Sequence, residues 1–95
     1  MFIISLTYTD LAGVDALLGA HRDYLKEQYG RGVFLMSGRK VPRTGGIVIA
    51  ACESREEVEA LVELDPFKEA GVATYEITEF VPTMTSDHLA SFREE

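Results

Sequence analysis

"VFLMSGRKVPRTGGIVIAAC", residues 33–52, holds two apolar, β-branched runs with only a polar connection between them. "VFLMSG" (33–38) reads as one strand and "IVIAAC" (47–52) as the next, with Pro42 and the Gly45–Gly46 pair punctuating an exposed link. No helical period intervenes. Two strands in direct succession at the centre of the chain narrow the architecture to whatever can flank them.

Upstream, Leu11, Val14, Leu18, His21 or Leu25, and Tyr29 recur at three and four residues, which predicts a helix over 11–29 with Asp10 as its N-cap. Gly13 and Gly19 each cost that helix about 1 kcal/mol relative to alanine, so packing must hold it. Before it, residues 1–8 form a short strand. Downstream, Ser54 with Glu57 three residues later is a capping box, opening a helix whose stripe is Val58, Leu61, Val62 and Leu64. "VATYEITEFV" (72–81) is a last strand that stops at Pro82. The order is strand, helix, strand, strand, helix, strand.

With right-handed crossovers, that order closes into an α+β fold of the ferredoxin-like split βαβ type. It has a four-stranded antiparallel sheet with both helices on one face. The domain spans 1–82; "TMTSDHLASFREE" (83–95) is a polar C-terminal tail with one helical turn through Leu89 and Phe92. The strands carry more apolar surface than one covered face needs. Ile3 opposes Phe2, Ile4 and Leu6, and Phe34, Met36, Ile47 and Ile49 point away from Val33, Leu35 and Val48. Two helices cover one face only, so the other calls for a second copy of the chain.

Composition sets limits on function. The chain has 95 residues, room for one core, and a net charge of −7, which repels a phosphate backbone overall. Nucleic acid is therefore an unsuitable partner. Cys52 is the single cysteine, which precludes an intrachain disulfide and fits a reducing cytoplasm. The start "MFIISLTYTD" has neither the basic n-region nor the apolar length of a signal peptide or membrane span. Two histidines cannot by themselves supply metal-ligand spacing, so no metal or cofactor is expected.

Chemistry-bearing residues are few. His21 sits on or beside the apolar stripe of the first helix, where it either fills space or acts. Asp65, in "ELDPFKEAG" (63–71), caps a short turn that Pro66 suits at its first position. In a split βαβ fold the two helices lie side by side, and the loop after the second adjoins the last strand. That topology allows His21 to meet Asp65. A carboxylate that fixes the tautomer of an imidazole and stabilises its cation makes a competent general base.

The pattern "HRDYLKEQYGRGVFLMSGR" followed by "ESREEVEALVELDPFKEAGVATYEITEF" resembles the YciI-like family of small dimeric α+β barrel proteins. His21, Gly32, Ser37, Gly38, Asp65, Pro66, Phe67 and Gly71 carry the resemblance in order and approximate spacing. It implies a homodimer with a His21–Asp65 pair in a pocket of each subunit, catalytic by analogy with chlorohydroxyquinol dehydrochlorinases. Ser37, Gly38 and Arg39 would then hold the substrate. Two departures stand out. Arg39 occupies the place where the family usually has proline, and the tail beyond Val81 is longer than usual.

Two functional classes follow. One is a cofactor-independent lyase or isomerase, dehydrochlorinase-like, that moves a proton on a small anionic or aromatic molecule. The other is a non-catalytic dimeric module that binds a metabolite or a protein. Arg39, Lys40 and Arg43 form a cationic stretch that is either solvated or captures an anion. Tyr8, Tyr24 and Tyr29 read as packing residues, and Cys52 as a core residue.

Overall fold

A computed structural model describes residues 1–94. Strand β1 (Phe2–Tyr8) leads into helix α1 (Leu11–Gly30), then β2 (Phe34–Arg39) and β3 (Gly45–Ala50). Helices α2 (Arg55–Glu63) and α3 (Pro66–Glu69) precede β4 (Ala73–Glu79), and a short 3-10 segment spans Asp87–Phe92. The strands form one antiparallel sheet in the order β2-β3-β1-β4. This is the split βαβ arrangement, with one helical layer on one sheet face.

The core lies between that face and the helices. Phe2, Ile4, Leu6, Val48 and Ala50 meet Val14 of α1, Val58, Leu61 and Val62 of α2, and Phe67 of α3, all buried. Local signals set the helix starts. Asp10 accepts from the Gly13 amide, and Ser54 accepts from Glu57 while the Glu57 carboxylate returns to the Glu53 amide. Leu11, Tyr29 and Leu64 are exposed, so the buried stripes are narrower than the sequence period predicts. Gln28, a polar residue, is buried instead; its side chain accepts from Arg31.

Two features of the strands depart from the sequence reading for a physical reason, one a boundary and one a bulge. Gly45 and Gly46, read as turn punctuation, open β3. A Cβ on Gly45 would lie 1.8 Å from the Leu6 carbonyl oxygen, so the β1–β3 approach admits only glycine there. In β2, Phe34 pairs with Ala50 but Met36 pairs with Ile49, so two residues oppose one. This bulge breaks the simple alternation. Phe34 turns into the core rather than away from it, while Met36 lies on the outer face with Ile49, as read from the sequence.

The bulge also positions the site. Beyond it, Ser37 pairs with Val48 and Arg39 with Gly46, both on the helix-covered face. Without the extra residue, Phe34 and Ser37 would face opposite sides of the sheet. The outer face carries Ile3, Ile47 and Ile49, half-buried, and Met36, exposed. The tail folds back at one end of this face, where the Glu94 amide donates to the Pro82 carbonyl. No helix among the described residues is long and apolar enough to cross a membrane.

Candidate active site

Asp65 answers to two demands at once. Its backbone is extended (φ −69°, ψ 125°) between α2 and α3, and Oδ1 accepts from the Phe67 amide at 3.0 Å, an N-cap with Pro66 in the first turn. The same Oδ1 accepts from His21 Nδ1 at 2.8 Å, across 44 residues of sequence. Oδ2 accepts from the Tyr75 hydroxyl at 2.6 Å. The side chain is only 3% exposed, so these three donors replace its water. Gly71, at φ +70°, makes the left-handed turn from α3 into β4 and so brings Tyr75 back beside Asp65.

His21 is held on two sides. Its ring stacks on Phe67 at a centroid distance of 4.0 Å and an interplanar angle of 8°, and Asp65 fixes its edge. Because a carboxylate only accepts, Nδ1 carries the hydrogen, and the neutral ring keeps its lone pair on Nε2. With Nδ1 committed to a buried partner, the edge bearing Nε2 is the one left to meet the cavity that His21 lines.

That cavity measures about 130 Å³. Leu6, Leu18, Leu25 and Val48 give it apolar walls, and His21, Arg22, Ser37 and Arg39 give it polar ones. Gly38 lines it as well, so four of the sequence candidates converge here, while Asp65 stands behind His21. The Ser37 hydroxyl is hydrogen-bonded to that of Tyr29. The cationic stretch does not act as a unit. Arg43 is taken by Asp15 at 2.7 Å and Lys40 reaches Thr7, which leaves Arg39 at the cavity.

Four contributors went unread in the sequence. Tyr75 follows Asp65 by ten positions and lies on the inward face of β4, but nothing marks its hydroxyl as bonded to Asp65. Tyr29 reads as packing and instead also orients Ser37. Arg22, beside His21, looks like an ordinary solvated helix residue; only the tertiary structure turns it to the cavity rim. Tyr24 also fastens the site, donating to the Leu61 carbonyl at 2.6 Å and so tying α1 to α2.

Electrostatics keep the two half-buried phenols as donors. Burial, then the Asp65 hydrogen bond and charge, push Tyr75 far above the ordinary phenol range, and burial followed by the Asp65 charge does the same for Tyr24. Cys52 is buried in the core and its thiol is pushed up by burial first, with Glu57 adding to it, so it lacks the thiolate character of a nucleophile. Among the described residues, no three His, Cys, Asp or Glu side chains are grouped so as to hold a metal.

The site's geometry can be set beside known proteins. The model of the YCII-related domain matches residues 1–81. Among solved structures, the chain is similar to 5-chloro-2-hydroxyhydroquinone dehydrochlorinase (TftG) from Burkholderia phenoliruptrix AC1100, determined in complex with 2,5-dihydroxybenzoquinone. The TM-score is 0.74 at 23% identity, over 92% of this chain and 96% of that one, a likeness of fold. No curated protein matches the chain.

Proposed function

The chain belongs to the YCII-related family, and from that premise we propose that it is a cofactor-independent lyase or isomerase of the cytoplasm, acting on a small anionic or aromatic molecule. The observation that carries this reading is the His21–Asp65 bond of 2.8 Å behind a cavity that His21 lines. His21 Nε2 takes a proton from a carbon or hydroxyl of the substrate. Asp65 holds the ring by Nδ1 and balances the imidazolium charge, and Tyr75 and the Phe67 amide keep Asp65 in place. Ser37, Gly38 and Arg39 hold the substrate's oxygens.

For a chlorinated substrate, the electron pair released by proton removal expels chloride. The net change is loss of one proton and one chloride, with no oxidant or reductant. For an isomerase, the proton returns from Nε2 to another atom of the same molecule. The fold neighbour's dehydrochlorinase activity supports the first course. The half-buried outer isoleucines support the homodimer we propose around each pair of sites.

The test uses 5-chloro-2-hydroxyhydroquinone and unchlorinated hydroxyquinol. Chloride release from the first, and deuterium uptake by ring carbons of the second in heavy water, should both be catalysed. Replacing His21 with Gln should lower either rate by about 10²–10⁴-fold. Wild-type rates equal to those of the variant would reassign the protein as a binding module.

A further inference from the structure

The charges around the cavity are distributed against the trend of the chain. The protein has 16 acidic residues against 9 Lys and Arg, yet no Asp or Glu lines this cavity, whereas Arg22 and Arg39 both do. Elsewhere the arginines are engaged. Arg43 pairs with Asp15, Arg55 with Glu59, Arg93 with Asp87, and Arg31 donates to Gln28. Among the described residues, neither Arg22 nor Arg39 has a carboxylate within 4.0 Å. The two arginines, both solvent-exposed, come from different elements, Arg22 from α1 and Arg39 from the end of β2, and line the cavity together with His21.

We infer that the cavity binds a small, ring-sized dianion, Arg22 and Arg39 each taking one of its anionic groups. A guanidinium presents a planar fork of N–H donors that matches a carboxylate or a delocalised oxyanion, and it stays charged at any pH of interest. Two of them beside apolar walls concentrate positive potential in a cleft of an otherwise acidic molecule. Size limits what fits between them. An engineered protein cavity of about 150 Å³ holds benzene, so about 130 Å³ accommodates one ring or a short unsaturated chain, with charged groups reaching the rim. Leu6, Leu18, Leu25 and Val48 suit the carbon framework.

This deepens the reading of His21 as the base and rests on it in one respect only. The proton that Nε2 removes leaves further negative charge on the ligand, which a second arginine is placed to stabilise.

The experiment is equilibrium binding by calorimetry at low ionic strength, with two matched pairs of probes: isophthalate against benzoate, and fumarate against crotonate. Within each pair the framework is similar and one carboxylate is lost. In at least one pair the dianion should bind about tenfold tighter or more, as expected for an added charge-assisted contact. Arg22→Gln and Arg39→Gln should each bring it down to the level of the monoanion, and salt should erode the difference. Shifts of the His21 ring resonances on saturation locate the probe.

Equal affinities within both pairs, no binding of any probe at millimolar concentration, or an R22Q protein with unchanged dianion affinity would overturn the proposal. No turnover enters this measurement. A failure here leaves the chloride and deuterium assays of His21 standing, and a failure of those assays leaves a dianion-binding module.

Discussion

Asp65 shows how one side chain can be both local and distant in its effect. As an N-cap it needs a single acceptor, which asparagine supplies almost as well. As the partner of His21 and Tyr75 it must accept from both sides. Asp65→Asn keeps Oδ1 for the Phe67 amide and the His21 ring and lets the Tyr75 hydroxyl rotate to accept, so it should cost about 1 kcal/mol of stability. Asp65→Ala strands the buried Phe67 amide and the half-buried His21 and Tyr75 donors and should cost about 2–4 kcal/mol. Urea unfolding of the two variants checks this, and equal losses would remove the cap from the account.

Tyr75 makes the matching prediction in pH. Its folded-state pKa is raised above the ordinary value of 10.0, so above pH 10 the unfolded chain releases a proton that the folded chain retains. The unfolded state then binds fewer protons, and stability falls as pH rises, having been fully present below 10. Tyr24 acts in the same direction. The melting temperature should decline through the alkaline range, and Tyr75→Phe should flatten that decline while lowering the starting value.

At the scale of elements, the contact between β1 and β3 is the least forgiving. Gly45 leaves no room for a methyl group, with Leu6 O at 1.8 Å from an added Cβ; Gly46 would meet Gly38 O at 3.1 Å, and Gly38 would meet nothing within 4 Å. Substitution by alanine should therefore destabilise in the order Gly45, Gly46, Gly38. At Gly45 the central strands must part, and the loss should reach about 3 kcal/mol or prevent folding. Denaturation midpoints of the three variants check the order. The β2 bulge is the other decisive feature, because it alone puts Phe34 in the core and Ser37 and Arg39 at the cavity on one face. Strand-forming residues announce the strand, but a bulge depends on how two strands are paired, which lies outside either one's composition.

For the whole molecule, the outer sheet face is the open question that the fold itself raises. Ile3, Ile47 and Ile49 line a surface with no helix over it, and the tail reaches only one end. A homodimer through that face predicts twice the chain mass of 10.5 kDa in light scattering at micromolar concentration. Ile47→Glu, a charge placed on that face at a position the tail does not reach, should yield a monomer with a weaker fold. A wild-type monomer under those conditions would remove the dimer and leave the isoleucines as an exposed patch.

By itself the sequence determined the order of strands and main helices, the two helix caps and the single core, because periodicity and capping are local and repeat within a few residues. The pairing of His21 with Asp65 was suggested by the family resemblance. Ser37 and Gly38 were legible from the family pattern as a strand end, and Arg39 only from its place directly after them, where the family usually has proline. That both His21 and Tyr75 would bond to Asp65 was decided by the packing of α1, α3 and β4, across 44 and 10 positions. Arg22 at the cavity and Phe34 in the core were decided the same way. Those features depend on where elements come to rest against one another, and a hydroxyl, a guanidinium or a bulged residue carries no local signal of the neighbour it will meet.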